Sequence, residues 1–348
     1  MKPHPPPRAL RWLPALSLAL ASSVLLLAVP RLAGSTWTAV GDVATAVHLG
    51  WVPVLVVVWA AGLFAHSLVL TRSLPGLSTR RAVSLNLAGS AVANTLPLGG
   101  AVSVALTARM VRSWGFAALP LSAFLTVSTV WNVLARVLVG TFGLVWMLGS
   151  FPGVARAASG WAVLVASLSV FGMPLLGLAR SRTAARTAAV GALVWGRAAS
   201  AVGRPGVDRR WHWALAILRL RRLVLDVVRR SWRALSLAMV LYFLLLALLL
   251  DLCVRAVGTA QPWRLVVATV AVERLLTAVP LTPGGAGVAE LGITSCLVLG
   301  GASPVDAVAA ALLYRLFTFL LEIPVGFTVA ASWGWRLRRA ARPARVAT

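Results

Sequence analysis

Apolar runs of about twenty residues, the length a helix needs to cross a hydrocarbon core about 30 Å thick, recur from end to end of this chain. Nothing water-soluble is built that way: 59% of the 348 residues are hydrophobic and the mean hydropathy is +0.88, more than a wetted surface allows. Lipid must be the solvent. The unbroken runs are Leu10–Val29, Trp51–Thr71, Ala117–Leu148, Trp161–Ala179, Ala234–Val257 and Ser303–Trp333, six expected transmembrane helices. The fold class is therefore all-α, a polytopic membrane protein. Lys2, Arg8 and Arg11 ahead of the first run suit either a signal peptide or a first transmembrane helix, and the lack of a small-x-small cleavage site favours the helix.

Two more segments are apolar but broken, residues 82–115 at Leu96-Pro97-Leu98-Gly99-Gly100 and residues 265–301 at Val279-Pro280-Leu281-Thr282-Pro283-Gly284-Gly285. Proline removes a helical hydrogen bond and glycine pairs free the backbone, so each motif interrupts its helix at membrane depth. Such a break survives only where protein or a wet cavity covers the exposed groups. The segments have 34 and 37 residues (115 − 82 + 1 and 301 − 265 + 1), short of the roughly 40 plus a turn that two full crossings need. Re-entrant hairpins fit that length; two very short spans each, eight crossings in all, would have the same parity.

Charge chooses between odd and even crossings. The net charge of +25 comes from 33 Lys and Arg against 8 Asp and Glu, and the arginines flank apolar spans instead of striping a soluble face, which excludes a nucleic-acid partner. With two hairpins and both termini cytoplasmic, the inner face of the cell membrane receives Arg72, Arg80, Arg81, Arg109, Arg112, the basic loop 180–233 and the tail 336–348. The outer face keeps only Arg31, Asp42, Arg156 and Arg264. Single crossings would put the long arginine loop outside, against the positive-inside rule. Within that loop, Trp211–Arg233 alternates Leu and Val with arginine in a helical pattern, read as an amphipathic helix on the anionic leaflet or as an ordinary basic loop.

The breaks resemble each other. Asn94-Thr95-Leu96-Pro97-Leu98-Gly99-Gly100-Ala101 aligns with Thr277-Ala278-Val279-Pro280-Leu281 and, after Thr282-Pro283, Gly284-Gly285-Ala286; the long helix after each holds an arginine, Arg136 and Arg315. Opening from opposite faces, they predict an inverted repeat in one membrane domain, with residues 1–179 and 234–335 as its halves.

A charge in hydrocarbon costs at least about 2.5 kcal/mol, so each needs a partner or a wet cavity. Arg136, Glu273, Arg274, Glu290, Arg315 and Glu322 lie at depth, with Asp251, Arg255 and Asp306 nearer an interface. Glu290 follows the second break within two turns and leads the candidates. Arg315 is placed either to bind a substrate phosphate or to pair with Glu290, and it stands seven residues before Glu322, on one expected helix stripe. For Arg315, Glu273 and Glu322 a structural ion pair competes evenly with a substrate role; for Arg274 the structural partner is favoured. Asn94 and Asn132 read as interhelical hydrogen-bonders, His66 as a packed histidine, and Cys253 and Cys296 as small core side chains. His4, His48, His66 and His212 lack metal-ligand spacing, no Gly-x-Ser-x-Gly elbow or phosphate loop occurs, and neither metal, cofactor nor catalytic residue is expected.

The string Pro280-Leu281-Thr282-Pro283-Gly284-Gly285-Ala286-Gly287-Val288-Ala289-Glu290, followed by Tyr314-Arg315, resembles the lysylphosphatidylglycerol synthase transmembrane-region family, also described as flippase-like. The resemblance spans nearly the whole chain and implies a lipid-translocating membrane domain with Pro283, Gly284, Gly285, Glu290 and Arg315 around its substrate cavity. Bifunctional relatives would continue into a soluble aminoacyl-transferase domain, whereas this chain stops fifteen residues after Trp333 (348 − 333), so lysyl transfer is not expected. Where many relatives look like Pro-x-x-x-Gly-Glu, this chain has Ala101 after Gly100 and no acid nearby. The expected function is translocation of a membrane lipid, anionic or polyprenyl-phosphate in type. The alternative is a non-catalytic membrane partner of a cell-envelope glycosyltransferase or synthase.

Overall fold

The computed structural model describes residues 36–96, 99–150, 207–278 and 282–340, and among these every regular element is helical. The helices are α1 (Trp37–Ala46), α2 (Trp51–Ser73), α3 (Thr79–Thr95), α4 (Gly99–Ser113), α5 (Ala118–Ser150), α6 (Val207–Ala256), α7 (Trp263–Leu276), α8 (Val288–Leu299), α9 (Pro304–Arg315) and α10 (Glu322–Ala340). Four stretches are long and apolar enough to cross a membrane, Trp51–Ser73, Ala118–Ser150, Leu218–Ala256 and Pro304–Arg339. They coincide with four of the six expected spans. The other two, Leu10–Val29 and Trp161–Ala179, lie outside the described residues, as do Pro97, Pro280, the first part of the basic loop and the end of the tail.

Both broken segments fold back on themselves. In the first, Gly89 on α3 faces Ser103 on α4, and Ala82 and Leu85 pack with Met110 and Val111, so the arms run antiparallel. In the second, Leu276 lies over Gly292 and Leu265 over Gly300, with α7 against α8. The arms of 17, 15, 14 and 12 residues are about 18 to 25 Å long at 1.5 Å per residue, less than the hydrocarbon thickness. Glycine makes the turns. A Cβ on Gly99 would come within 2.5 Å of the Val92 carbonyl oxygen, and Gly284, Gly285 and Gly287 have φ of 57°, 71° and 84°, a region closed to most side chains.

The hairpins enter from opposite ends of the bundle. Leu74, Ala82, Met110 and Leu121 gather at the end where Trp333 donates to Ser113 and where Arg81, Arg112, Arg336 and Arg339 cluster. Leu55, Leu250, Cys253, Val254, Val266 and Leu297 gather at the other. Between them α2 lies along α6, α3 along α10 and α5 along α7. The last two crossings are close because glycine stands at each, Gly140 and Gly143 against Ala271 and Leu275, and Gly326 against Leu87 and Ala91.

Two expectations change. The stretch 211–233 is no separate surface helix: no Gly or Pro interrupts Val207–Ala256, so it runs straight into the following span as one 50-residue helix. Val227 is consequently buried against Val69 and Val127. The span expected over residues 303–333 is interrupted by a π turn, Leu316–Leu320, where Leu321 N–H reaches the Leu316 carbonyl. Pro324, with no N–H to give the preceding turn, explains why the ladder loosens here. The extra residue rotates Arg315 relative to Glu322 by about 100°, so the two do not share the predicted stripe.

Candidate functional site

The hairpin tips meet at the centre. Asn94, at the tip of the first, donates to the Phe319 carbonyl (3.4 Å), and its side-chain oxygen lies against Gly284 at the tip of the second, beside the Phe319 ring. Any side chain on Gly284 would strike both. Beneath the tips is a cavity of about 500 Å³, within the range of small-molecule sites. It is walled by Gly99 and Gly100 from one hairpin, Thr282–Gly285 and Glu273–Arg274 from the other, and Trp59, Arg136, Tyr242, Arg315 and Glu322 from the long helices.

Among the proposed site residues, Arg136, Glu273, Arg315, Glu322, Gly99, Gly100, Pro283, Gly284 and Gly285 line this cavity. Glu290 and Gly287 stand behind it. The Glu290 carboxylate, 3% exposed, accepts Arg315 Nε (2.8 Å) with one oxygen and the Gly287 N–H (2.7 Å) with the other. Arg315 also donates to the Gly284 carbonyl (2.9 Å) and stacks 4.6 Å over Phe319. The pairing expected as one of the two roles of Arg315 is present, and Arg315 lines the cavity as well. One ion pair thus ties the start of α8, the end of α9 and the second tip together, with both Glu290 carboxylate oxygens engaged. Its place in the first turn of α8 also suits the helix dipole.

Glu273 and Arg274 are neighbours on α7 that close a two-pronged pair on each other, both buried. What remains is one cation and one anion. Arg136 makes no ion pair among the described residues, and its Nε donates to Asn132 one turn back (2.8 Å). Glu322 likewise has no cationic partner; Ser90 and Trp59 stand beside its carboxylate, while the Trp59 indole N–H closes no hydrogen bond.

Arg136 is held by a relay that residue types alone did not reveal. Asn132 Nδ2 donates to His66 Nε2 (3.0 Å), His66 Nδ1 donates to Asn86 Oδ1 (3.1 Å), and Asn86 Nδ2 donates to the Leu63 carbonyl and Ser67 Oγ. The direction follows from the amides: Asn132 Oδ1 is taken by Arg136, so Asn132 must donate to the ring, which fixes the neutral Nδ1–H tautomer. Tyr242 packs on that ring, centroids 4.9 Å apart. His66 and Asn132 are thereby interhelical groups, as expected, and Cys253 and Cys296 are buried free thiols in apolar clusters. The sequence signal for the relay was His66 on an apolar span and Asn132 one turn before Arg136; Asn86, among the other polar residues of α3, carried none.

A charged cavity enclosed by helices of membrane-spanning length narrows the relatives to compare. The family model described as the lysylphosphatidylglycerol synthase TM region matches residues 15–326. The chain belongs to this family. Membership makes it a multi-pass membrane protein of the lysylphosphatidylglycerol synthase TM-region type, and the match takes in both hairpins, the cavity and the Glu290–Arg315 pair. No curated protein matches the chain.

Proposed function

We propose that this protein translocates a membrane amphiphile, an anionic phospholipid or a polyprenyl-phosphate-linked lipid, holding the polar head in the central cavity while the chains stay in the bilayer. The observation that supports this best is the meeting of two half-length hairpins, entering from opposite ends, over a cavity with an unpaired cation and an unpaired anion. An unpaired buried charge is costly, so a cavity that keeps two is suited to a head bearing complementary groups. Arg136 binds the phosphate. Glu322 receives an amine or hydroxyl. The Glu290–Arg315 pair shapes the second tip.

Packing supports the inverted repeat. The first arm of each hairpin lies along the long helix that follows the other hairpin, α3 on α10 and α7 on α5, while the helices preceding the hairpins, α2 and α6, pack on each other. That is the pattern of two halves related by a pseudo-two-fold in the membrane plane. The basic end, with Arg72, Arg80, Arg81, Arg109, Arg112 and the arginines of α6 and α10, faces the cytoplasm of the cell membrane. Both termini lie on that side, and the protein is not an enzyme.

The test is a headgroup-resolved flip assay in proteoliposomes. Arg136→Ala and Glu322→Gln each remove a charge-assisted contact with the lipid head and should slow translocation at least about tenfold without loss of folded protein, because each removes a charge with no ion-pair partner among the described residues. Wild-type rates in both variants would remove the mechanism. The family's description as the membrane region of a synthase favours a second reading, a partner that positions a membrane enzyme. Co-purification with such an enzyme, and no lipid movement by the isolated protein, would favour that one.

A further inference from the structure

A second cavity of about 220 Å³ lies between α4 and α5, and it shares His66, Asn86, Ser90 and Ala93 with the central one. The two cavities therefore adjoin, with these side chains of α2 and α3 as the partition between them. Half of its described lining is polar, His66, Asn86, Ser90, Ser103, Thr107, Ser128 and Thr129, between helices of membrane depth. Ser103 and Thr107, one turn apart on α4, point their hydroxyls at Gly89, where the missing side chain leaves room. Thr129 on α5 stands exposed at the mouth. None of these three hydroxyls makes a hydrogen bond among the described residues, although Ser122, Thr126 and Ser128 on the same stretch of α5 each return theirs to a carbonyl four residues back. Serine and threonine on a lipid-facing helix ordinarily satisfy themselves in that way. Three that do not, in one groove, call for a polar occupant.

We propose that this groove is a lateral port through which the polar head of a bilayer lipid passes between the membrane and the central cavity. The inference rests on the translocation reading above. Among the described residues no carboxylate or guanidinium lines the groove, and both nitrogens of His66 are already engaged, so none of them traps a phosphate or an ammonium. Hydroxyls donate and accept alike, which suits transit; the charges that capture the head, Arg136 and Glu322, wait further in. The seam is also loosely closed: α4 leans only lightly on α5, in contrast to the glycine-mediated crossings of α5 with α7 and α10 with α3. Ser103 and Thr107 lie between the first tip and the basic end of the bundle, so the port serves the leaflet on the basic side.

The experiment uses the full chain in phosphatidylethanolamine–phosphatidylglycerol vesicles containing a phosphatidylglycerol with a photoactivatable diazirine on its head. After illumination, adducts are mapped by mass spectrometry, and lipid flip is measured on the same preparation. Adducts are expected on residues 103–107 and 128–129 as well as at Asn94. Gly89→Leu, filling the groove from within, and Thr129→Phe, filling it from its exposed mouth, should each abolish the groove adducts and slow flip at least about tenfold. Leu138→Phe, on the exposed face of α5, should change neither. Wild-type flip without groove adducts overturns the port and leaves the translocation reading standing. Groove adducts without any flip leave only a lipid-binding groove and overturn both the port and the translocation reading. Cysteines at Ser103 and Thr129 that react with a water-soluble maleimide, with no lipid adducts there, make the groove a water channel and overturn the port.

Discussion

Removing the Glu290 carboxylate tests how the second hairpin is held. Glu290→Ala leaves the Arg315 guanidinium, itself 6% exposed, with only the Gly284 carbonyl and the Phe319 face for company. An orphaned buried charge of this kind costs about 3–5 kcal/mol. The Gly287 N–H, which the second carboxylate oxygen caps at 2.7 Å, loses its acceptor as well, worth about 1 kcal/mol more. The single variant should therefore lose about 4–6 kcal/mol of unfolding free energy. Arg315→Met, which strands the carboxylate instead, should lose a similar amount less the cap, which survives. The double variant Glu290→Gln with Arg315→Met removes both charges and keeps an acceptor for Gly287. Because neutral, well-packed replacements of buried ion pairs are often close to neutral in stability, it should recover most of the loss. The assay is chemical unfolding in mixed micelles, read as a double-mutant cycle on the Glu290→Gln and Arg315→Met singles and their double. A coupling energy below about 1 kcal/mol would refute the claim that this pair pins the tip.

Other substitutions probe the remaining contacts. Gly140→Val should cost about 1–3 kcal/mol, because a Cβ there would come within 2.5 Å of the Leu275 Cβ, whereas Gly149→Ala in open space on the same helix should be neutral or slightly stabilising; thermal melts in detergent separate them. Gly284→Ala should lose at least about 1–2 kcal/mol for its φ of 57° alone, and more for the Phe319 and Asn94 contacts, visible as a lowered Tm. Tyr314→Phe should keep or raise stability by up to about 1 kcal/mol, because the hydroxyl is buried without a partner; a large fall would mean that the hydroxyl is satisfied in the bilayer. His66→Leu should cost only about 1 kcal/mol, since interhelical hydrogen bonds in membranes average about 0.6 kcal/mol each, yet slow lipid flip by freeing Asn132 and so Arg136.

Proline and glycine made the hairpins legible before any coordinates, since few other residues end a helix at membrane depth. The glycines at 99, 284, 285 and 287 prove to be where the backbone turns or approaches closest. The four described spans were legible for the same local reason, an apolar run bounded by charge or Gly. What escaped was nonlocal. Glu290 and Arg315 lie 25 residues apart, so spacing could set pairing beside phosphate binding but not choose between them. The π turn was signalled by Pro324 two residues past Glu322, a proline easily passed over inside an apolar run. Helix α1 is only 10 residues long; its Thr36 cap is a local signal, but Val40 is ordered by burial against Val308 and Ala309.

Pairing, more than burial, decides which charges are free to act. Among the described residues, Arg136, Glu273, Arg274, Glu290, Arg315 and Glu322 are the charges around the cavity and the hairpin tips, and Glu273 with Arg274 and Glu290 with Arg315 cancel in pairs, each pair fixed to the second hairpin or the helix that follows it. The first hairpin contributes no charge at its tip, only Asn94 and two glycines. The cation left over stands on α5, the long helix that follows the uncharged hairpin and packs on the charged one; the anion stands on α10, which follows the charged hairpin and packs on the uncharged one. On the proposed reading, any relative movement of the hairpins therefore moves Arg136 against Glu322. A lipid head bridging the two would sense that motion directly, because the close glycine crossings of α5 with α7 and α10 with α3 tie each charge-bearing helix to the opposite hairpin.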